Sequence, residues 1–254
     1  MKNDISKYDL IIFDLDGTLT PSKSPLDPKM GEVLAKLLQK KKVAVISGCN
    51  FEQFKDQFLK TLPVDPNIYR NLVILPTSGS SMYLWKDGWQ LEYSDNLSPN
   101  EKMKIRQALG DALKELPFLK PQTIYGEQIE DRGSQITFSA LGQKAPLAAK
   151  AAWDPDRSKR GALAKSLLVK LPEFDVTIGG MTSLDVTHHG VNKAYGIRKI
   201  EGYLKLGSDK ILFVGDALMP GGNDFPTKST GVDCQQVSGP EETLGLINSW
   251  LLAI

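Results

Sequence analysis

The chain has 254 residues, 41% of them hydrophobic, with 31 basic and 30 acidic side chains and a formal charge of +1. That composition fits one large globular domain or two smaller ones and excludes a disordered chain, and the balanced charge offers no general field to nucleic acid or an anionic membrane. No apolar run approaches the roughly 20 residues that span a bilayer, nothing at the N-terminus reads as a signal peptide, and the two cysteines, Cys49 and Cys234, have no metal-like spacing, so a cytoplasmic protein is expected.

Residues 9–14 read as a fully buried parallel strand. It ends in Asp14, with Asp16 two positions on, Gly17 to turn the chain, and the hydroxyls of Thr18 and Thr20. The carboxyl end of a strand in an α/β sheet is where such folds place their ligands. Two acids so close repel each other unless a cation or a proton intervenes, so one carboxylate is expected on a divalent cation and the other is left to move protons. The plainer alternative is a solvated Asp-Gly turn; three later segments weigh against it.

Asp27 caps a helix with Pro28 at its first position and Met30, Val33, Leu34, Leu37 and Leu38 at helical spacing. Lys40–Lys42 reads as its basic C-terminus. Val43–Ile46 is a second strand, ending in Ser47, Gly48, Cys49 and Asn50. Phe51, Phe54 and Phe58 mark another helix face, and Leu72–Leu75 a third strand. This β-α-β-α-β opening predicts a doubly wound sheet. Trp85 and Trp89 flank Asp87-Gly88, a hairpin turn, and are assigned to packing.

The middle of the chain changes rhythm. Ser98 and Glu101 form a capping box for a helix with Ile105, Leu109, Leu113 and Leu116 on one face. Residues 134–140 alternate like a half-exposed strand, a helix is expected at about 157–171, and strands at about 174–178 and 183–187. His188 and His189, adjacent on a strand, face opposite sides and read as surface residues. The α/β rhythm resumes with a helix opened by Asn192, the strand Ile211–Val214 ending in Gly215-Asp216, and a final helix from the box Ser238 to Glu241. The predicted fold is α/β: a doubly wound parallel-sheet, Rossmann-like core over 1–90 and 190–254, with an inserted α+β cap over 91–189.

Asp14/Asp16, Ser47, Lys193 and Asp216 all fall at predicted strand or helix ends, so neighbouring parallel strands, roughly 4.8 Å apart, would gather them at one pocket. Each supplies something phosphoryl transfer needs. A carboxylate can form an acyl phosphate, but it repels a phosphate dianion, and Mg²⁺ held by carboxylate oxygens screens that repulsion. Lys193 balances remaining negative charge. Ser47 and backbone N–H groups, Gly48 among them, hold phosphate oxygens. Asp16 gives a proton to the leaving oxygen and takes one from the incoming hydroxyl.

Together these residues resemble the haloacid dehalogenase superfamily: Asp14–Thr20 its first signature, Ser47 its second, Lys193 its third, and Gly215-Asp216 with Gly222-Asn223-Asp224 its fourth. The resemblance implies Asp14 as nucleophile, Asp16 as acid/base, and a Mg²⁺ ion on Asp14, Asp216 and the main-chain carbonyl of Asp16, with Asn223 and Asp224 as outer supports. Asp14–Pro21, Ile129–Ser139, Gly179–Asp185 and Gly215–Asp224 are most similar to the eukaryotic-type phosphomannomutases. That similarity implies interconversion of mannose 1-phosphate and 6-phosphate, with Lys23, Arg132, Ser183 and Asp185 on the sugar phosphate and a homodimer formed through the cap. It also marks departures. Gln143 stands where the family has a second cap arginine, Lys150 near a third, and Thr77-Ser78-Gly79 where it has Glu-Asn-Gly. A sugar-phosphate phosphatase using the same site, and an inactive sugar-phosphate binder, are the rival readings.

Overall fold

The computed structural model describes residues 5–22, 24–63 and 65–253. Strand β1 (Leu10–Asp14) is buried along its whole length. Helix α1 (Pro28–Leu38) starts where the Asp27 carboxylate accepts the Lys29 N–H at 2.8 Å. The lysine run is not a helix end. The helix stops at Leu38, Lys42 already belongs to β2 (Lys42–Ile46), and the Lys41 ammonium donates to the Tyr8 carbonyl at 2.7 Å. Asn50 and Gln53 cap each other reciprocally at the start of α2 (Phe51–Phe54), which widens into a π-turn over Lys55–Leu59. A short α3 (Pro66–Tyr69) leads to β3 (Leu72–Leu75). Strands β4 (Ser81–Trp85) and β5 (Trp89–Ser94) form the hairpin around Asp87-Gly88. Its tryptophans pack edge-on at 5.6 Å, with Tyr69 4.8 Å from Trp85, so they do serve packing.

The next segment builds a second sheet. The Ser98–Glu101 capping box opens α4 (Pro99–Glu115). Strands β6 (Ile129–Asp131) and β7 (Gln135–Ser139) follow, then α5 (Leu147–Trp153) and α6 (Ser158–Lys170), then β8 (Phe174–Gly179) and β9 (Ser183–His188). Helix α5 has no side-chain cap and buries none of its residues, so no periodicity announces it. The strands pair antiparallel in the order β6-β7-β9-β8. Because side chains alternate, one face carries Ile136, Phe138, Leu184 and Val186, packed with Ile105, Leu109, Leu163 and Leu167 of α4 and α6. The other carries Gln135, Thr137, Ser139, Ser183 and Asp185.

Helix α7 (Lys193–Leu204), β10 (Ile211–Gly215), β11 (Asp233–Gln236) and α8 (Pro240–Leu251) complete the chain. Strand β11, Asp-Cys-Gln-Gln, has no apolar run to betray it. The final helix starts one position later than its box suggests, and Glu242, not Glu241, accepts the Ser238 N–H at 2.7 Å. Among the described residues the first sheet runs β11-β10-β1-β2-β3-β4-β5, parallel from β11 to β3 and antiparallel beyond. Alternate residues of its strands feed two cores. Ile11, Phe13, Val45 and Val214 pack with α1 and α8; Leu10, Ile12, Ile46 and Phe213 pack with Ile197 and Ile200 of α7. Helices on both faces make this a doubly wound α/β sheet. The chain divides into two compact units, Met1–Ser94 with Val191–Ile254, and Asp95–Gly190.

Candidate active site

Asp14 is the last residue of β1, in register with Ile46, while Phe13 faces Val214. Ser47 and Asp216, each just past its own strand, therefore reach the same sheet end. Lys193, the first residue of α7, donates from Nζ to Asp14 Oδ1 at 2.5 Å and also pairs with Asp224. Thr18 donates to Asp216 Oδ1 at 3.2 Å. Carboxylate oxygens of Asp14, Asp216 and Asp224 lie within 4.8 Å of one another.

Burial pushes the Asp14 carboxyl up to about 7 against the pull of Lys193, and the neighbouring Asp224 adds to the rise. Burial also works against the Lys193 ammonium, but Asp14 and Asp224 outweigh it and hold its pKa above the usual value. The other oxygen of Asp14, Oδ2, is buried without a hydrogen-bond partner. Three carboxylates beside one ammonium carry a formal charge of −2 when ionised. An orphaned oxygen and surplus negative charge among hard oxygen donors fit a divalent cation such as Mg²⁺. The sign of the pH dependence follows. A carboxyl raised from 3.8 to about 7 contributes stability that is present below the lower value and is lost as pH rises through the upper one. In metal-free protein, thermal melts should show stability falling towards neutrality. Added Mg²⁺ should raise the midpoint at about pH 8 and much less at about pH 5, because protonated Asp14 is a poor ligand. Equal shifts at both values would argue against a cation at Asp14.

Two glycine positions make this geometry possible. Gly17 has φ +87°, and a Cβ there would stand 2.6 Å from Asp216 Oδ2. A Cβ on Gly222 would stand 2.0 Å from the Ala217 carbonyl oxygen, so the loop after β10 can double back and bring Asp224 to accept the Ala217 N–H at 3.0 Å. The third carboxylate of the cluster is thus Asp224, which the sequence reading gives an outer supporting role. Gly17→Ala should cost roughly 1–3 kcal/mol through strain and overlap, and weaken Mg²⁺ binding, as melts and calorimetry would show. Unchanged affinity would mean that Asp216 tolerates displacement.

Ser47 is buried, and its hydroxyl oxygen accepts the Cys49 N–H at 3.3 Å, which leaves the O–H to donate. A Cβ on Gly48 would meet nothing within 4 Å. The Ser47 carbonyl accepts the Ser78 N–H at 2.8 Å. Thr77-Ser78-Gly79 all have positive φ, and a Cβ on Gly79 would lie 2.3 Å from Gly196 Cα. That loop therefore braces α7 one turn from Lys193. The Asp16 carboxylate accepts from Gln57 Nε2 at 2.9 Å, a residue no sequence motif singles out.

The other proposed substrate residues belong to the second unit. Arg132 pairs with Glu130 at 2.8 Å, Asp185 Oδ1 accepts from Thr137 at 2.7 Å, and the hydroxyls of Ser183 and Ser139 meet at 2.8 Å. Burial raises the Asp185 carboxyl against the hydrogen bond from Thr137. Lys150 Nζ donates to the Gln143 carbonyl at 3.3 Å, so these two are neighbours. His188 contacts Glu101 at 3.0 Å and His189 contacts Asp175 at 2.7 Å, side-chain pairings at the unit's surface. Lys23 lies outside the described residues.

No described helix is long and apolar enough to cross a membrane. Two solved structures share the fold. A C-terminal truncated Plasmodium falciparum IMP-nucleotidase matches with a TM-score of 0.74 at 18% identity, over 99% of this chain and 73% of that one. A haloacid dehalogenase-like hydrolase from Bacteroides thetaiotaomicron matches with a TM-score of 0.65 at 14% identity, over 95% and 99%. In sequence, the phosphomannomutase of Spinacia oleracea is 26% identical over 241 residues, covering 92% of each chain. Phosphomannomutase 2 of Dictyostelium discoideum is 26% identical over 253 residues, covering 96% of this chain and 97% of its own. The eukaryotic phosphomannomutase family model matches residues 30–252. With its motifs, its fold and this match in agreement, the chain belongs to the eukaryotic phosphomannomutase family.

Proposed function

We propose that this protein is a Mg²⁺-dependent phosphomannomutase that interconverts mannose 1-phosphate and mannose 6-phosphate through an aspartyl phosphate on Asp14. The observation that carries the reading is the buried Asp14–Lys193–Asp224 pairing beside Asp216, at the end of the parallel sheet. Asp14 attacks a phosphoryl group of a bisphosphorylated hexose, and the bond from phosphorus to the sugar oxygen breaks. Asp16 gives its proton to that oxygen. The monophosphate then offers its other phosphate-accepting hydroxyl, Asp16 takes that proton, and the phosphoryl group returns to sugar. Lys193 pulls Asp14 towards its ionised form, and Ser47 with the Gly48 N–H binds phosphoryl oxygens. Asp14, Asp216 and the main-chain carbonyl of Asp16 would hold Mg²⁺, with Asp224 close by; the ion supplies positive charge that lets an anionic nucleophile approach an anionic group.

Arg132, Ser183, Asp185 and Lys150 are assigned to the hexose phosphate, with Lys23 as a further cation. A homodimer formed through the cap and a cytoplasmic location are part of the same reading. Met103, Leu168 and Val169 give the cap helices exposed apolar surface that a dimer could use.

One observation favours hydrolysis as the second reading. Gln143 brings no charge and Arg132 is paired with Glu130, so the cap has less free positive charge for a second phosphate. Phosphorus NMR on the protein with Mg²⁺, mannose 1-phosphate and a catalytic amount of hexose 1,6-bisphosphate separates the readings. Mannose 6-phosphate supports the mutase. Inorganic phosphate as the main product would replace it with the phosphatase, and no turnover with binding retained would leave only a binder.

A further inference from the structure

We infer that Gln57 is the positioning residue for Asp16, fixing which carboxylate oxygen accepts and which carries the transferable proton. The inference rests on the acid/base role proposed for Asp16. Gln57 lies half-buried in the π-turn after α2, a widened turn often found at functional sites. Its main-chain carbonyl accepts the Leu26 N–H at 2.8 Å, which anchors the backbone. Its Nε2 donates to Asp16 Oδ1 at 2.9 Å and to Thr20 Oγ1 at 3.1 Å.

The chemistry of the partners sets the amide's orientation. A carboxylate can only accept. Thr20 donates its hydroxyl hydrogen to the Leu15 carbonyl at 3.4 Å and so presents lone pairs to Gln57. Both hydrogens of the amide therefore have acceptors, and the reverse orientation would set carbonyl oxygen against carboxylate oxygen. With Oδ1 committed as an acceptor, a proton on Asp16 resides on Oδ2. The amide stays neutral throughout, so it holds Asp16 in place through both proton transfers without competing for the proton.

The test uses the full chain with Mg²⁺, mannose 1-phosphate and hexose 1,6-bisphosphate, following total turnover to 6-phosphate or inorganic phosphate. Gln57→Met keeps the volume and removes both donors. Gln57→Glu keeps the shape and is the second variant if the first does not fold. Each should lower kcat at least about 10-fold, part of the 10²–10⁴-fold that proton transfer typically contributes, with KM within about 3-fold of the parent value. The solvent deuterium isotope effect on kcat should rise, because a misdirected Asp16 makes proton transfer limiting; a purely structural role would leave it unchanged. A kcat within about 3-fold of the parent, or a fall with an unaltered isotope effect, overturns the proposal. Asp16→Asn separates the two levels. If it is inactive while the Gln57 variants are normal, only the positioning role is lost. If it turns over like the parent, the acid/base assignment fails and takes this inference with it.

Discussion

Asp14→Asn should reduce phosphoryl transfer by roughly 10⁴-fold or more, while leaving the protein folded and no less stable at neutral pH. The activity argument is that a carboxamide cannot attack phosphorus and form an acyl phosphate. The stability argument is separate. Asp14 is almost wholly buried, and burial raises its carboxyl to about 7, so ionising it in the fold is costly without a cation. The replacement keeps the shape, and its carbonyl oxygen can still accept from Lys193. Lys193 is not stranded, because it also pairs with Asp224. Turnover by phosphorus NMR and a thermal melt of metal-free protein check both halves. Turnover within about 10-fold of the parent would remove Asp14 from the mechanism. A melt lowered by many degrees would show that the Asp14–Lys193 pair holds the fold together.

Arg160→Met should destabilise the second unit by about 3–5 kcal/mol, the usual cost of removing one partner of a buried pair. Arg160 and Asp154 are both buried, joined from Nε to Oδ2 at 2.7 Å. The guanidinium also donates to the Gly180 carbonyl at 2.5 Å and to the Asp154 carbonyl at 3.2 Å. Asp154 in turn accepts the N–H groups of Lys159 and Arg160 at the start of α6. Burial works against the Asp154 charge, but Arg160 and these two N–H groups hold its pKa below the usual 3.8. Its contribution is therefore present above that value and lost as pH falls through the lower, folded one. Methionine fills much of the volume but satisfies none of these acceptors. The Gly179–Gly180 turn that Arg160 ties down leads directly into Ser183 and Asp185, so KM for the sugar phosphate should rise as well. Denaturant melts and a kinetic titration provide the check. A loss under about 1 kcal/mol would mean that water or a rearrangement replaces the clamp.

How visible each feature was depended on how local its cause is. Strands β1, β2, β3 and β10 are apolar runs that are buried on both faces, so hydrophobicity alone marks them. Asn192, Ser98 and Asp27 mark helix starts because capping is chemistry within a few residues. The polar strand β11 and the capless α5 have no such signal; partners distant in the chain determine them. The same division holds in the site. Asp14, Asp16, Ser47, Lys193 and Asp216 were legible because each follows a recognisable strand or opens a helix. That an Asp224 oxygen comes within 4.8 Å of those of Asp14 and Asp216 was not legible, because its place depends on how tightly the loop folds at Gly222. Gln57 and Arg160 were missed because their partners lie 41 and 6 positions away, through contacts no motif encodes.

By itself, then, the order of residues determined the α/β class, the turn bearing two acids, the helix that begins with a lysine, and the family. Those follow from periodicity, capping and the need of an anionic nucleophile for nearby positive charge. Only the tertiary structure decided which third carboxylate joins Asp14 and Asp216, which oxygen of Asp14 is left without a donor, and which amide steadies Asp16. The physical reason is range. Hydrogen bonds and charge pairs act over a few ångströms, and which groups come that close is set by packing strands and loops that lie far apart along the chain.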